Sequence, residues 1–411
     1  MNSKVAIISG ATTKFSERWE DSWMDLIREC GLEALKKAGI ERKQISKIYC
    51  GNMGLEGLAG QSQLVSKLYE ELFDNGSHTP MTRVESGEAS GAKAIEEACG
   101  HIFAGLHHGQ ERVVVVGGVE KMKDVKSALA TKVLDSTADR EREMILGKGL
   151  YSLYGEIAGR YLRANGVSAD FMHLVAVKNH KNAEANEKAH FPFAVNLQQV
   201  RESQIMSTPL RMLDCHAMSD GASALVLVPE SLAKKIGKEY VVIDSMHSAT
   251  DTMSLYSRHD FTAFNAVSTA AKWAFGEANV SPKDIDVAEL HDSFTITELL
   301  AYEDLGFAPR GKGSELIKNN MMNGKDALEP SQLKTPVVLA DGNSEFVFNP
   351  TGGLKARGHA IGATGVAQAV EIYEQLLGKS GKRQAQKAEV GLTHSVGGIG
   401  GTAVVGIYRA G

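Results

Sequence analysis

The sequence predicts an α/β protein made of two similar halves. Short apolar runs, typical of buried strands, alternate with stretches whose apolar residues follow helical spacing. Residues 38–48 resemble residues 278–288 without a gap, and residues 88–92 resemble residues 359–363 in the same order along the chain. Two similarities in one order indicate a duplicated unit, whose second copy begins near residue 240.

The first half is predicted to contain strands and helices of ordinary length. Strands are expected at residues 5–8, 45–49, 82–84, 113–116 and 222–228, and an amphipathic helix at residues 23–37. The run at 113–116 consists of valines alone, which is typical of a central strand buried on both faces. A second helix is expected soon after residue 88, with Ile95 and Ile102 on its apolar face.

A different pattern occupies residues 120–209, which contain few strand-like runs and many His, Lys and Asn residues. This pattern predicts a helical insertion in the first half. The expected organisation is therefore an N-terminal half at residues 1–239, which includes the insertion, and a C-terminal half at residues 240–411.

Composition excludes several classes of protein. The net charge of −5 argues against non-specific nucleic-acid binding. No run approaches the ~18 apolar residues that span a bilayer, so no membrane segment is expected. The four cysteines form neither a CxxC pair nor a disulfide framework, which indicates a reduced, cytoplasmic location.

Glu88 lies where small residues run into the second predicted helix. Free backbone N–H groups and the helix dipole favour an anion there, so an ordinary acidic helix start is one interpretation. The duplication offers another, because it places Glu88 and His359 at equivalent helix starts. If the halves pack about a pseudo-twofold axis, an acid and a base meet in one central site, as acid–base chemistry requires.

Six motif blocks occur in order over nearly the whole chain. They are residues 117–122 (Gly-Gly-Val-Glu-Lys-Met), 213–215 (Leu-Asp-Cys), 219–222 (Ser-Asp-Gly-Ala), 291–294 (His-Asp-Ser-Phe), 352–359 (Gly-Gly-Leu-Lys-Ala-Arg-Gly-His) and 393–398 (Thr-His-Ser-Val-Gly-Gly). In these blocks the chain resembles the thiolase superfamily, in the branch close to sterol-carrier-protein-type thiolases and archaeal acetyl-CoA acetyltransferases.

The resemblance implies a five-layered α/β/α/β/α fold of two halves, with residues 120–209 as a loop domain that faces coenzyme A. It implies an acyltransferase-type protein of lipid metabolism that acts on coenzyme A thioesters, with no tightly bound cofactor and no metal. It also implies a homodimer or tetramer, and a possible small partner with an OB fold and a zinc ribbon.

Site residues follow from the same resemblance. His291 and His359 would hold the thioester oxygen of the enolising acyl group. The backbone N–H groups of Glu88 and Gly397 would form a second oxyanion hole, with Ser293 and Ser395 nearby. His394 is either a catalytic proton donor or a motif histidine that bonds the backbone.

The departures from the family pattern concern the chemistry directly. Glu88 stands where the family has its nucleophilic cysteine, Ser293 and Ser395 replace two further cysteines, and Ala360 replaces a proline. No cysteine of the chain is then catalytic, and Cys215 is expected to be structural. A carboxylate is a far poorer nucleophile than a thiolate toward a thioester, so ordinary ping-pong thiolysis is not expected.

Three hypotheses remain open. The first is an enzyme that forms or cleaves a carbon–carbon bond through a thioester enolate, with Glu88 or His359 as the base. The second is a catalytically silent subunit that binds acyl-CoA and supports a partner. The third is an acyltransferase of the family type whose nucleophile has been replaced.

The insertion also carries basic side chains with two interpretations. His180, Lys181, Lys188 and His190 would contact coenzyme A phosphates or form a solvated face, and the solvated face is the commoner arrangement.

Overall fold

The computed structural model describes residues 4–73 and 78–411. Its strands are β1 (Val5–Thr12), β2 (Ile45–Gly51), β3 (Met81–Val84), β4 (Val113–Glu120), β5 (Ile205–Ser207), β6 (Leu210–Arg211), β7 (Gly221–Pro229), β8 (Val241–Thr250), β9 (Val287–Glu289), β10 (Met322–Asn323), β11 (Asp326–Ala327), β12 (Val338–Ala340), β13 (Glu345–Phe348), β14 (Val390–Gly397) and β15 (Thr402–Ala410).

The α-helices of the same described residues are α1 (Trp23–Ala38), α2 (Leu55–Ala59), α3 (Leu64–Leu72), α4 (Ser90–His107), α5 (Ser127–Asp135), α6 (Leu150–Asn165), α7 (Ala169–Ala183), α8 (Leu197–Glu202), α9 (Glu230–Ile236), α10 (Asn265–Ala278), α11 (Thr295–Asp304), α12 (Gly313–Met321), α13 (Gly353–Ala356) and α14 (Ile361–Leu376).

Eleven of these strands form one mixed sheet with the order β12-β13-β9-β14-β15-β8-β1-β7-β4-β2-β3. The strands from β1 to β3 in this order come from the first half of the chain, and those from β12 to β8 come from the second. The two groups join where β1 pairs antiparallel with β8. The predicted strand at residues 5–8 was too short, because β1 continues through Ser9 and Gly10 to pair with β7.

Helices lie on both faces of the two groups of strands. The helices α4 and α14 pack against each other, and α14 contacts β4 and β7 of the first group as well as β9 and β14 of the second. Helix α1 covers the first group from outside, and α10 covers β8 and β15 of the second. The layers are therefore α1, strands, α4 with α14, strands, and α10, which confirms the predicted five-layered α/β fold.

Small residues let α4 and α14 approach closely at their N-termini. A Cβ atom on Gly91 of α4 would lie 2.6 Å from the carbonyl oxygen of Gly362 of α14. Helix α14 is apolar on nearly all sides and almost completely buried, as expected for a helix in the central layer. The start of each central helix is therefore held in one place by the other.

The duplication is visible in local structure. Helices α1 and α10 each end at a left-handed residue, Gly39 and Asn279, and each is followed by a 3₁₀ turn and a strand of the sheet. Helices α4 and α14 each begin two residues after the paired positions Glu88 and His359. Residues 120–209 contain α5 to α8 and the short β5.

Candidate functional site

Glu88 lies just before α4 and points toward the turn after β14. Its Oε2 accepts a hydrogen bond of 2.5 Å from the backbone N–H of Gly398. The side chain is buried, with 3% of its surface exposed. The carboxylate therefore bonds across to the other half of the chain, at Gly398, rather than to its own helix.

Burial controls the charge of this carboxyl group. Removal from water raises the pKa of Glu88 from 4.5 to about 7, and the nearby charge of Glu85 acts in the same direction. Hydrogen bonds from the backbone N–H groups of Gly398 and of Glu88 itself oppose this rise. A carboxyl group with this pKa exists in both protonation states near neutral pH, which suits it to accept or donate a proton.

Tyr154 connects Glu88 to the motif at residues 291–294. Its hydroxyl donates a 2.7 Å hydrogen bond to the carbonyl of Gly398. The Tyr154 ring stacks on Phe294 with the ring centroids 4.4 Å apart. Helix α6 of the insertion therefore supplies a buried phenol between the two halves, which the sequence motifs did not indicate.

His359 lies in the loop between α13 and α14, and His291 follows β9. The ring centroids of these two histidines are 5.6 Å apart, with the rings nearly perpendicular. His359 Nδ1 lies 2.7 Å from the Thr364 hydroxyl, which also reaches the carbonyl of Ala360 at 3.1 Å. The hydroxyl can serve Nδ1 as donor or acceptor, so it fixes the ring orientation while Nε2 takes either protonation state.

Two further histidines complete the cluster. His394 of β14 accepts the backbone N–H of His291 at Nδ1, at 3.3 Å, which leaves its proton on Nε2. His216 places its ring centroid 5.1 Å from that of His359. Among the residues that the structure describes, no hydrogen-bond partner meets Nε2 of His216, His359 or His394, or Nδ1 of His291. We call these four atoms the open nitrogens.

All four rings are neutral near pH 7. Burial lowers the pKa of His394 to about 3 and that of His216 to about 4. Burial, reinforced by the neighbouring imidazoles and by Arg357, holds the pKa of His291 and His359 well below the usual range. Neutral imidazoles with open nitrogens can donate a hydrogen bond to a developing oxyanion or accept a proton.

The predicted serine positions have different surroundings. Ser395 is completely buried, and its hydroxyl donates a 2.7 Å hydrogen bond to Gln368 Oε1 of α14. Gln368 in turn donates to the carbonyls of Glu289 and His394, so it ties α14 to β9 and β14. The carbonyl of Ser293 accepts both the backbone N–H and Nδ1 of His216, at 2.8 and 3.1 Å.

A cleft of about 770 Å³ leads from the surface to this cluster. The segment 216–218 forms its inner wall, and Met218 pairs with His359 in an isolated β-bridge directly behind that wall. Phe193, Met206 and Met212 line its outer part and are 40–50% exposed. The side chains that line the cleft thus include apolar ones as well as the charged Glu17 and Lys123, and the cleft reaches the histidine cluster at His216.

The basic residues of the insertion do not behave alike. The side chain of His180 is completely buried. Its Nδ1 bonds the carbonyl of Phe193 and its ring lines the cleft, so the interpretation as part of a solvated face is wrong for this residue. Lys181 pairs with Glu184 on the surface and Lys188 is exposed. His190 lines the cleft and bonds the Ser219 hydroxyl at 2.8 Å.

Buried polar contacts also explain why α7 of the insertion is rich in Asn and Lys. Lys178 forms an ion pair with Glu298 at 2.8 Å, with both side chains fully buried, and Asn179 bonds Glu298 and Asp292. These contacts hold the insertion against the second half of the chain. Asp292, which follows His291, is positioned by the same network.

Cys215 lines the cleft but is not activated. Burial raises the pKa of its thiol to about 12, and its Sγ lies 3.2 Å from the carbonyl of Arg211. The buried Lys355, whose pKa burial lowers, donates to the carbonyl of Cys215 at 2.6 Å. A thiol with this pKa is protonated at neutral pH and is not a nucleophile.

Within the described part of the chain, no three His, Cys, Asp or Glu side chains are arranged to hold a metal ion. Across residues 4–73 and 78–411, none of the helices is both long and apolar enough to cross a bilayer.

Two duplicated halves whose central helices begin beside a buried acid and a histidine cluster define a thiolase-type architecture. The chain belongs to the thiolase family, because the family "Thiolase, N-terminal domain" matches residues 5–231 and the family "Thiolase C-terminal domain-like" matches residues 247–328 and 339–410. This confirms the resemblance seen in the motif blocks, and it makes the chain an acyl-CoA-related protein.

Individual relatives agree with this assignment. An acetyl-CoA acetyltransferase of Methanothermobacter thermautotrophicus is 39% identical over 406 residues, which cover 98% of this chain and 99% of that protein. Sterol carrier protein 2 of Homo sapiens is 30% identical over 427 residues, which cover 99% of this chain and 72% of that protein. The solved structure of an Ltp2-ChsH2(DUF35) aldolase has a TM-score of 0.79 at 21% identity, over 99% of this chain and 98% of that one, which shows a common fold.

Proposed function

We propose that this protein forms or cleaves a carbon–carbon bond beside the carbonyl of an acyl-CoA thioester, through a thioester enolate and without an acyl-enzyme. The observation that carries this proposal is Glu88, a buried carboxyl group with a pKa of about 7 at the start of α4. It takes the position of the family's nucleophilic cysteine, where it acts as a proton-transfer group rather than as a nucleophile. Attack by a carboxylate on a thioester would give a mixed anhydride, a poor route to acyl transfer.

Glu88 then exchanges the proton at C2 of the acyl group. General acid–base catalysis is most effective when the pKa of the catalytic group lies near the working pH, and the value of about 7 meets this condition. The short hydrogen bond to Gly398 fixes the position of one carboxylate oxygen. Oε1 is the atom that exchanges the proton.

His291 and His359 stabilise the enolate oxygen. Both rings are neutral and buried, and each carries an open nitrogen. Donors that are fixed before the reaction stabilise developing charge more than mobile water does, because they need no reorganisation. His394, whose Nε2 carries its proton and is an open nitrogen, is a further donor in the same cluster.

The insertion supplies the coenzyme A side of the site in this proposal. The cleft opens between the insertion and the block at residues 213–222, and Lys123 and His190 line it. The Lys123 ammonium suits the phosphates of coenzyme A, whereas burial lowers the pKa of His190, which would contact them as a neutral imidazole. The division into halves at residues 1–239 and 240–411, with residues 120–209 facing coenzyme A, is part of the same proposal.

The test of this function is the cleavage of 3-hydroxyacyl-CoA thioesters. We expect release of an aldehyde or ketone together with the shorter acyl-CoA, measured by chromatography. The rate falls by about 100-fold or more in Glu88→Gln and in His359→Asn, the size of a lost acid–base or oxyanion group. Release that is unchanged in Glu88→Gln would remove Glu88 from the reaction.

A second candidate function is a silent acyl-CoA-binding subunit. The Glu88 carboxylate already occupies the Gly398 N–H, which a substrate oxyanion would otherwise use, and this favours binding without turnover. Calorimetry would then show binding of acetyl-CoA, while no 3-hydroxyacyl-CoA is cleaved with or without a partner.

Assembly is also part of the proposal. The name of the Ltp2-ChsH2(DUF35) aldolase joins two components, and by analogy we expect a small partner with an OB fold and a zinc ribbon. The edge strand β3 ends the sheet on one side, and an open edge can pair with a second copy, so a homodimer is expected. Light scattering of the purified chain measures the homodimer, and light scattering after co-expression with proteins encoded by neighbouring genes measures the complex with a partner.

A further inference from the structure

His216 is the histidine that belongs both to the cleft and to the buried cluster. It forms part of the inner wall of the cleft, with 7% of its surface exposed. On its other side its ring meets that of His359, with the centroids 5.1 Å apart and the planes nearly perpendicular. His216 therefore lies between the cleft and His359 of the buried cluster.

The hydrogen bonds of His216 define which nitrogen is free to react. Nδ1 lies 3.1 Å from the carbonyl oxygen of Ser293, and a carbonyl can only accept, so the proton of the neutral ring is on Nδ1. Nε2 consequently carries a lone pair, and it is one of the open nitrogens defined above. Phe294 and Tyr151 pack against the ring and hold its plane.

We propose that His216 Nε2 is the base that takes the proton from the C3 hydroxyl of a 3-hydroxyacyl thioester whose C3 substituent is large and apolar. This inference rests on the proposed function, because it assigns a residue to the second proton transfer of that reaction. In one cleft, Lys123 would meet the coenzyme A phosphates, and the apolar side chains of Phe193, Met206 and Met212 would surround the C3 substituent.

The C3 hydroxyl gives its proton to His216 Nε2, and the electron pair of the O–H bond becomes the new carbonyl of the leaving aldehyde or ketone. The C2–C3 bond breaks, and its electrons form the enolate whose oxygen His291 and His359 hold. The protonated Glu88 then gives its proton to C2, and the imidazolium returns its proton to the carboxylate through solvent. The reverse sequence forms the bond.

The variant His216→Asn separates the two roles of this ring. An asparagine amide can keep the N–H that Nδ1 presents to the Ser293 carbonyl, but it lacks an atom at the Nε2 position. A second variant, His216→Gln, fills the Nε2 position with an amide group that is not a base. His247→Asn is the matched control, because His247 pairs with Glu277 on an exposed face.

The experiment uses 3-hydroxy-3-phenylpropanoyl-CoA, which would yield benzaldehyde and acetyl-CoA. We expect both His216 variants to lose about 100-fold or more in kcat, the usual contribution of a general base, while KM changes by less than about threefold. His247→Asn should cleave like the wild type. Calorimetric titration with acetyl-CoA shows that each variant still binds the thioester.

Exchange of the C2 protons of acetyl-CoA with D2O separates this inference from the function it rests on. Exchange needs Glu88 and the oxyanion donors but not the C3 base, so we expect the His216 variants to exchange like the wild type. Cleavage by His216→Asn and His216→Gln within threefold of the wild type would overturn the role of His216 alone. A wild type that neither exchanges nor cleaves would overturn the proposed function together with it.

Discussion

Replacing Glu88 with glutamine tests whether this buried carboxyl group titrates near pH 7. The unfolded chain ionises Glu88 near 4.5, whereas burial raises the pKa to about 7 in the folded chain. At about 1.4 kcal/mol per pH unit, the difference corresponds to roughly 3 kcal/mol. Between pH 4.5 and pH 7, Glu88 keeps its proton in the folded chain and loses it in the unfolded chain. The resulting contribution to the free energy of unfolding is therefore fully present below pH 4.5 and is lost as the pH rises through 7.

The comparison of variants isolates this residue. Burial also raises the pKa of Glu120 and Glu289 to about 7, so the pH dependence of the wild type alone reports several groups. The glutamine of the Glu88→Gln variant keeps an oxygen that can accept the hydrogen bond from the Gly398 N–H, but its amide does not ionise. We expect its free energy of unfolding, relative to the wild type, to increase by about 2–3 kcal/mol between pH 5 and pH 8.

Urea denaturation followed by circular dichroism at several pH values measures this change. The cost of fitting the glutamine amide does not depend on pH, so only the trend with pH carries the conclusion. A difference between Glu88→Gln and wild type that stays constant from pH 5 to pH 8 would refute the raised pKa. If the free energy of unfolding of Glu88→Gln minus that of the wild type fell as the pH rises, the folded site would favour the anion.

Three further predictions concern the nucleophile, the oxyanion donors and the packing of the insertion. Glu88→Cys should attack the C3 ketone of acetoacetyl-CoA, keep an acetyl group as a covalent thioester that is visible in the intact mass, and release acetyl-CoA from the other fragment. A wild type that acquires the same adduct would contradict the absence of an acyl-enzyme. His359→Asn should slow C2 exchange of acetyl-CoA by about 100- to 1000-fold, the usual cost of one oxyanion donor; exchange at the wild-type rate would exclude this residue from the site. Lys178→Met should lower the free energy of unfolding by about 3–5 kcal/mol in urea, because it leaves Glu298 buried without its ion pair. Addition of Glu298→Gln to Lys178→Met should recover part of that loss, and a double variant no more stable than the single one would contradict the ion-pair explanation.

Much of the fold followed from the sequence because its signals are local. Most apolar residues that predicted α1 lie on its buried face, and the valines that predicted β4 are buried in the sheet. The repeated segments predicted that α4 and α14 begin at equivalent places, and they do. The end of β1 was missed because Ser9 and Gly10 are typical of turns, whereas pairing with β7 carries the strand past them.

The site was only partly predictable, because several of its contacts join residues far apart in the chain. His216 stands directly after the Leu-Asp-Cys block, a position that signals nothing until its ring is seen beside His359. Tyr154 lies inside an amphipathic helix where an aromatic residue is ordinary, yet its hydroxyl bonds Gly398. The burial of His180 likewise depends on Phe193, which no local pattern indicates.

The pKa of Glu88 likewise depends on residues that are far from it in the sequence. The sequence placed this carboxylate near a helix start, where the dipole favours the anion. In the folded chain the strongest effect is burial, and the one strong donor comes from the turn after β14. The balance between burial and this hydrogen bond depends on how both halves pack, which the sequence around Glu88 does not reveal.

In the proposed function, Glu88 moves a proton at C2 of an acyl-CoA and does not carry an acyl group. The most direct measurement incubates the purified protein with acetyl-CoA in D2O and records the masses of both the thioester and the intact protein. We predict deuterium at C2 with the wild type, at least about 100-fold less with Glu88→Gln, and no change in the mass of the protein. Acetyl-CoA without deuterium, or a protein heavier by one acetyl group, would contradict the claim.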